Sequence, residues 1–87
     1  MISRTTPEFW LHYSSLPEDI QRLADKCYKL WSDNPAHSSI RFKLIDSKRQ
    51  LYSARVGIHY RALAYREGEL VVWVWIGHHS EYDRLIG

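Results

Sequence analysis

The stretch LVVWVWIGHH, residues 70–79, decides how this chain folds. Leu70, Val72, Val74 and Ile76 alternate with Val71, Trp73 and Trp75, a period of two with apolar residues at both parities. A strand that is apolar on both faces belongs inside a sheet, covered on both sides. The run breaks at Gly77 and delivers His78 and His79, with Tyr82 three residues further on.

Working back from this strand, the period of two persists to Ile40. "REGE" around Gly68 reads as a hairpin turn. In "IHYRALAYR", Ile58, Tyr60, Ala62 and Ala64 fall on one side, and His59, Arg61, Leu63 and Tyr65 on the other. Gly57 marks a turn or bulge. In "LYSARV", Tyr52, Ala54 and Val56 alternate with Leu51, Ser53 and Arg55, and "IRFKLI" sets Ile40, Phe42 and Leu44 against Arg41 and Lys43. Before Pro35 the period changes to that of a helix. Ile20, Leu23, Ala24, Cys27, Leu30 and Trp31 recur at i, i+3, i+4 and i+7, Glu18 and Asp19 suit the helix's positive end, and Asn34-Pro35 stops it. "TTPEFWLHY" predicts a shorter helix with Thr6 as cap and Pro7 in its first position. Ser80 can cap a last short helix, "EYDRLI", with Asp83 in the capping-box position. The expected architecture is α+β: an N-terminal helical hairpin packed on a four-stranded antiparallel sheet, then a short C-terminal helix.

At 87 residues one domain spanning 1–87 is the expectation, and four Trp and six Tyr mean that large rings carry much of its core. No stretch approaches a membrane span. "MISRTTPEFW" shows no apolar signal-peptide segment, and a lone cysteine, Cys27, fits a reducing cytoplasm. Cys27 lies on the apolar stripe of its helix and reads as a core residue. The net charge of +2 hides an asymmetry: residues 36–66 hold seven Lys/Arg against one acid, Asp46. Concentrated positive charge of this kind is the footprint of a polyanionic partner, or else a charged sheet edge that resists aggregation.

Alternation can bring Arg41, Lys43, Ser53, Arg55, His59 and Arg61 to one open face, with Trp73 and Trp75 as its floor. Cations beside ring faces are what single-stranded RNA binding asks for. The alternative packs both Trp under the last helix, against Tyr82 and Leu85. His78, His79 and Tyr82 are candidate acid–base groups, because imidazole titrates near neutrality. The plainer alternative is a strand-to-helix turn whose imidazoles bond to backbone. Zinc on His78 and His79 with His59 or His37 is a weak signal, since neither Cys nor an acid stands at recognised spacing. No metal or cofactor is expected, and neither a P-loop nor a dinucleotide glycine fingerprint is present.

Taken in order, "LPEDIQRLADKCYKLWSDNP", "IRFKLI", "LYSARVGIHYRAL" and "WVWIGHHSEYDRLI" resemble the RelE/ParE superfamily of bacterial type II toxin–antitoxin toxins. The resemblance implies an antiparallel α+β fold and a cognate antitoxin that wraps the toxin and masks its basic site. RelE-like members cut mRNA in the ribosomal A site, and ParE-like members poison DNA gyrase. By resemblance Arg55 and Arg61 match the strand cations, His78 or His79 the basic residue after the last strand, and Tyr82 the tyrosine of the following helix. Lys43 and Arg41 are plausible additions. Two departures stand out: Ser53 occupies a position where RelE-like members can carry Lys, and "MISRT" leaves room for only a short opening strand. The implied function is a metal-independent mRNA endoribonuclease toxin. Its alternatives are a gyrase inhibitor or a toxin-fold binding module without catalysis.

Overall fold

Residues 1–86 are described by a computed structural model. Its elements are β1 (Ile2–Thr5), α1 (Pro7–Ser14), α2 (Glu18–Asp33), β2 (Lys43–Asp46), β3 (Leu51–Val56), β4 (Tyr60–Glu67), β5 (Leu70–His78) and α3 (His79–Ile86). The strands form one sheet in the order β1-β5-β4-β3-β2. β2 to β5 are antiparallel neighbours, whereas β1 pairs with β5 in parallel, from Ile2 opposite Leu70 to Thr5 opposite Trp73. The sheet is therefore five-stranded and mixed, not four-stranded and antiparallel. β5 is interior, between β1 and β4, as its two apolar faces require, and an interior strand needs a partner on both edges. The N-terminal residues fill that need with backbone bonds, Ile2 N–H to Glu69 O at 2.7 Å and Thr6 N–H to Trp73 O at 3.1 Å. Four residues with mostly exposed side chains leave no hydrophobic pattern to read.

The helices follow their local chemistry. The Thr6 hydroxyl accepts from the Phe9 amide at 3.2 Å to cap α1, and Pro7 opens it. α2 buries Ala24 and Trp31, with Leu23, Cys27 and Leu30 partly buried beside them. It ends at Asn34, which Pro35 holds in extended backbone. The hairpin is tied by the Tyr13 hydroxyl donating to Asp25 Oδ1 at 2.8 Å and the Gln21 amide donating to Tyr13 O at 3.1 Å. "IRFKLI" is strand only from Lys43, because Arg41 takes a left-handed backbone (φ 49°) that breaks the pleat. Ile40, 1% exposed, becomes a core plug, and its carbonyl accepts from the Arg55 amide at 2.6 Å.

One irregularity reorganises the core. β4 and β5 shift register between Leu63 and Ala64, whose partners are Trp75 and Trp73, so Val74 is an extra residue. Before the shift Val71 and Trp73 face the helices; after it Ile76 does. Trp73 is thus a core residue, 5% exposed, and not the floor of an open trough. It meets Trp31 edge-on at 5.1 Å and lies 5.9 Å from Phe42. Truncating one such ring costs about 3–5 kcal/mol. Leu51, Ser53 and Leu63 are also buried but lie on the opposite face. α1 and α2 leave an apolar cleft of about 630 Å3 against the sheet, bordered by Phe9, Tyr13, Trp31, Ile40 and Trp73. The Trp31 indole N–H is, among the described residues, the buried side-chain polar atom without a partner. Among the described residues no helix is long and apolar enough to cross a membrane.

Candidate functional site

The β3–β4 turn and the β5–α3 junction meet at one end of the sheet. Gly57 starts the turn with φ +64°, and a Cβ there would stand 2.7 Å from Leu23 Cδ2 of α2. The left-handed backbone favours glycine here, and any larger residue would also have to push the Leu23 side-chain tip aside. The turn presents His59, whose carbonyl accepts from the His79 amide at 2.8 Å. That bond locks the turn against the start of α3.

Three imidazoles converge as a result, with one ring nitrogen of His59, His78 and His79 all within 4.8 Å of one another. The His78 and His79 ring centroids are 4.5 Å apart, and the His59 and His78 rings are nearly parallel at 6.1 Å. Tyr60, opposite His78 across the sheet, meets its ring edge-on at 5.4 Å. His59 and His78 are exposed and His79 is half-buried. His78 is the residue before α3, and its Nδ1 lies 3.2 Å from the Ser80 amide and 3.0 Å from Ser80 Oγ. The imidazole thus caps the helix that Ser80 was expected to cap. Asp83 lies one turn on, with Oδ2 3.7 Å from His79 Nδ1. Tyr82, half-buried, shares the His79 side of α3 by its i, i+3 spacing.

The cations reach this end from the other face. Arg55 pairs with Arg61 across β3 and β4, and Arg61 lies opposite Gly77 while Tyr60 lies opposite His78. Neighbouring residues on a strand point to opposite faces, so Arg61 and His78 start on different sides of the sheet. Both guanidinium groups then fold onto the turn: Arg55 Nε donates to Gly57 O at 3.1 Å, and Arg61 Nη1 donates to Tyr60 O at 2.8 Å and Ile58 O at 3.2 Å. Among the described residues neither is in an ion pair. Register places Lys43, Ser53, Arg55 and Arg61 on the one face expected of them, whereas His59 in the turn, Arg41 outside β2 and the buried Trp73 lie off it. Lys43, exposed, stands opposite the buried Ser53 and continues a cross-sheet row through Leu63 to Trp75. Trp75 is half-buried over Gly77, 6.1 Å from His12. Arg41 is exposed just outside β2. His37 bonds to Ser39 and takes no part in the cluster.

Sequence reasoning missed the roles of Ser80 and Asp83 as partners of the imidazoles. The available signal was their spacing, two residues after His78 and four after His79, which places each beside a ring once the helix starts at His79.

The architecture is that of toxin structures. It is similar to the toxin–antitoxin complex RelB–RelE from Methanococcus jannaschii (TM-score 0.75, 14% identity, covering 97% of this chain and 99% of that one). It is also similar to the RelBE2 toxin–antitoxin complex from Mycobacterium tuberculosis (0.69, 25%, 88% and 95%). The isolated RelE toxin of E. coli matches at 0.63, with 13% identity over 99% and 98%. No curated protein matches in sequence. The ParE-like toxin domain matches residues 18–84, and the chain belongs to that family, within the RelE/ParE toxins.

Proposed function

We propose that this toxin is a metal-independent endoribonuclease acting on ribosome-associated mRNA in the cytoplasm, restrained by a cognate antitoxin. The antitoxin is supported by the neighbouring structures, which are toxin–antitoxin complexes. The observation that carries the ribonuclease reading is the gathering of His78 and His79 around a turn to which Arg55 and Arg61 are also tethered.

RNA brings its own nucleophile. One imidazole takes the 2′-hydroxyl proton as that oxygen attacks the adjacent phosphorus. A second group donates a proton to the 5′-oxygen as its bond to phosphorus breaks, leaving a 2′,3′-cyclic phosphate and a 5′-hydroxyl. His79 fits the base, since Asp83 can hold its ring. His78 fits the acid, with Tyr82 assisting or orienting. Arg55 engages the turn through Nε and Arg61 through Nη1, so both keep spare donors for a phosphorane, worth about 3 kcal/mol for a well-placed one. Lys43, Arg41, His59 and Trp75 would hold the flanking strand. Trp73 is withdrawn from that role by its burial.

The test is induction of the chain without a partner, followed by mapping of mRNA 5′ ends on ribosome-bound transcripts. Discrete new ends, lost together with growth arrest in His79→Ala and Arg61→Ala, are expected. Full toxicity of both variants would refute the site. The ParE-like family description favours a second reading, a non-catalytic DNA gyrase inhibitor, which intact mRNA with accumulating DNA breaks would select.

A further inference from the structure

We propose that His59, His78 and His79 form a binding site for one divalent transition-metal ion of the zinc, nickel and copper class. Adjacent residues on a strand point apart, so His78 and His79 alone could not share an ion in extended backbone. The strand ends at His78 and the helix begins at His79, and this change of backbone swings both rings to one side, 4.5 Å apart. His59 then arrives from the β3–β4 turn, held by its carbonyl to the His79 amide at 2.8 Å. Two separate chain segments are thus fixed by backbone while three side chains remain free to tilt.

The distances suit an ion. Bonds of about 2.0–2.1 Å from tetrahedral zinc to imidazole nitrogen put ligand nitrogens about 3.4 Å apart. Nitrogens already within 4.8 Å reach that by small tilts of two exposed rings and one half-buried ring. An all-imidazole set with a vacant coordination position selects zinc, nickel or copper over magnesium or calcium, which prefer oxygen. The outer partners are also present. His79 Nδ1 faces the Asp83 carboxylate at 3.7 Å, and His78 Nδ1 faces Ser80 Oγ at 3.0 Å, leaving Nε2 of each ring for the metal. Ligation at Nε2 puts the proton on Nδ1, where Asp83 and Ser80 Oγ accept it, the arrangement that orients metal-bound histidines. His78 then gives up its cap on the Ser80 amide.

This site does not depend on the ribonuclease reading. If both hold, a bound ion occupies the lone pairs needed for proton transfer, and metal inhibits cleavage until a chelator removes it.

The experiment is calorimetric titration of the chelator-treated full chain with Zn2+ and with Ni2+, and with Co2+ followed by its visible absorption. One ion per chain at micromolar metal is expected. His59→Ala, His78→Ala and His79→Ala should each weaken binding at least tenfold with the circular dichroism unchanged, and Asp83→Asn should weaken it about tenfold. His37→Ala and His12→Ala should bind as the parent does. Wild-type affinity in His59→Ala, several weak equivalents per chain, or equal loss in His37→Ala would overturn the site. Metal binding by a non-toxic chain would refute only the ribonuclease, and toxicity without metal binding only the metal site.

Discussion

The helix-covered face of the sheet and the rim at the end of β5 are both built of rings, put to opposite uses. On the covered face Trp31, Trp73 and Phe42 meet edge-on or tilted at 5.1–5.9 Å, and Trp31 and Trp73 are almost wholly excluded from water. At the rim His59, His78 and His79 meet at 4.5–6.2 Å but stay accessible, each with a nitrogen that can carry a proton or bind an ion. The first set stabilises by apolar burial and the second contributes little to stability. Substitutions should separate the two regions cleanly, stability failing in one and function in the other.

The largest effect should come from Trp73→Ala, which removes about 3–5 kcal/mol of stability in urea denaturation. A loss under 1 kcal/mol would mean that this ring is not in the core. Gly57→Ala joins the two regions. Its left-handed backbone and the nearby Leu23 make it cost about 1–2 kcal/mol, and by displacing the His59 turn it should also reduce toxicity and metal binding. His79→Ala is the counterpart of Trp73→Ala, with stability within about 0.5 kcal/mol of the parent and growth arrest abolished. Cys27 tests the edge of the core. Burial pushes its thiol above the ordinary cysteine range, against smaller opposing effects from the Gly57 backbone and Lys26. Alkylation at neutral pH should be slow in the folded chain and fast in denaturant. The smallest effect lies at the exposed Asp46–Arg49 pair, where the hydrogen bond from Arg49 holds the Asp46 carboxyl below its usual value. Its contribution is present above the unfolded carboxylate pKa and is lost as pH falls through the folded one. Asp46→Asn should therefore slightly lower stability at neutral pH, change nothing once pH is below the folded pKa, and so flatten the acid limb of a stability profile.

The covered face was largely legible. Ala24 and Trp31 on the α2 stripe are buried, and so are Ala54, Val56, Ala62 and Ala64 at one parity of β3 and β4. These strands carry polar residues at the other parity, so the pattern has a marker. β5 has none. With both parities apolar, an extra residue at Val74 changes which rings face inward without disturbing the composition, and Trp73 changed role. β1 was hidden for a related reason, since its backbone bonds hold it and its four side chains are mostly exposed. At the rim the residue types were visible and their grouping was not. His59 lies 19 positions before His78, and no periodicity relates them.

The amino-acid order alone determined the α+β class, the α2 stripe, the interior place of β5 and the set of basic and imidazole residues, because helix and strand periods and residue chemistry are local properties. Tertiary structure decided which Trp is buried, where β1 pairs, that Arg61 and His78 approach the turn from opposite faces, and that His59 joins the other two imidazoles. Those outcomes depend on register and on one backbone bond between distant segments, and such long-range pairings leave no trace in local sequence.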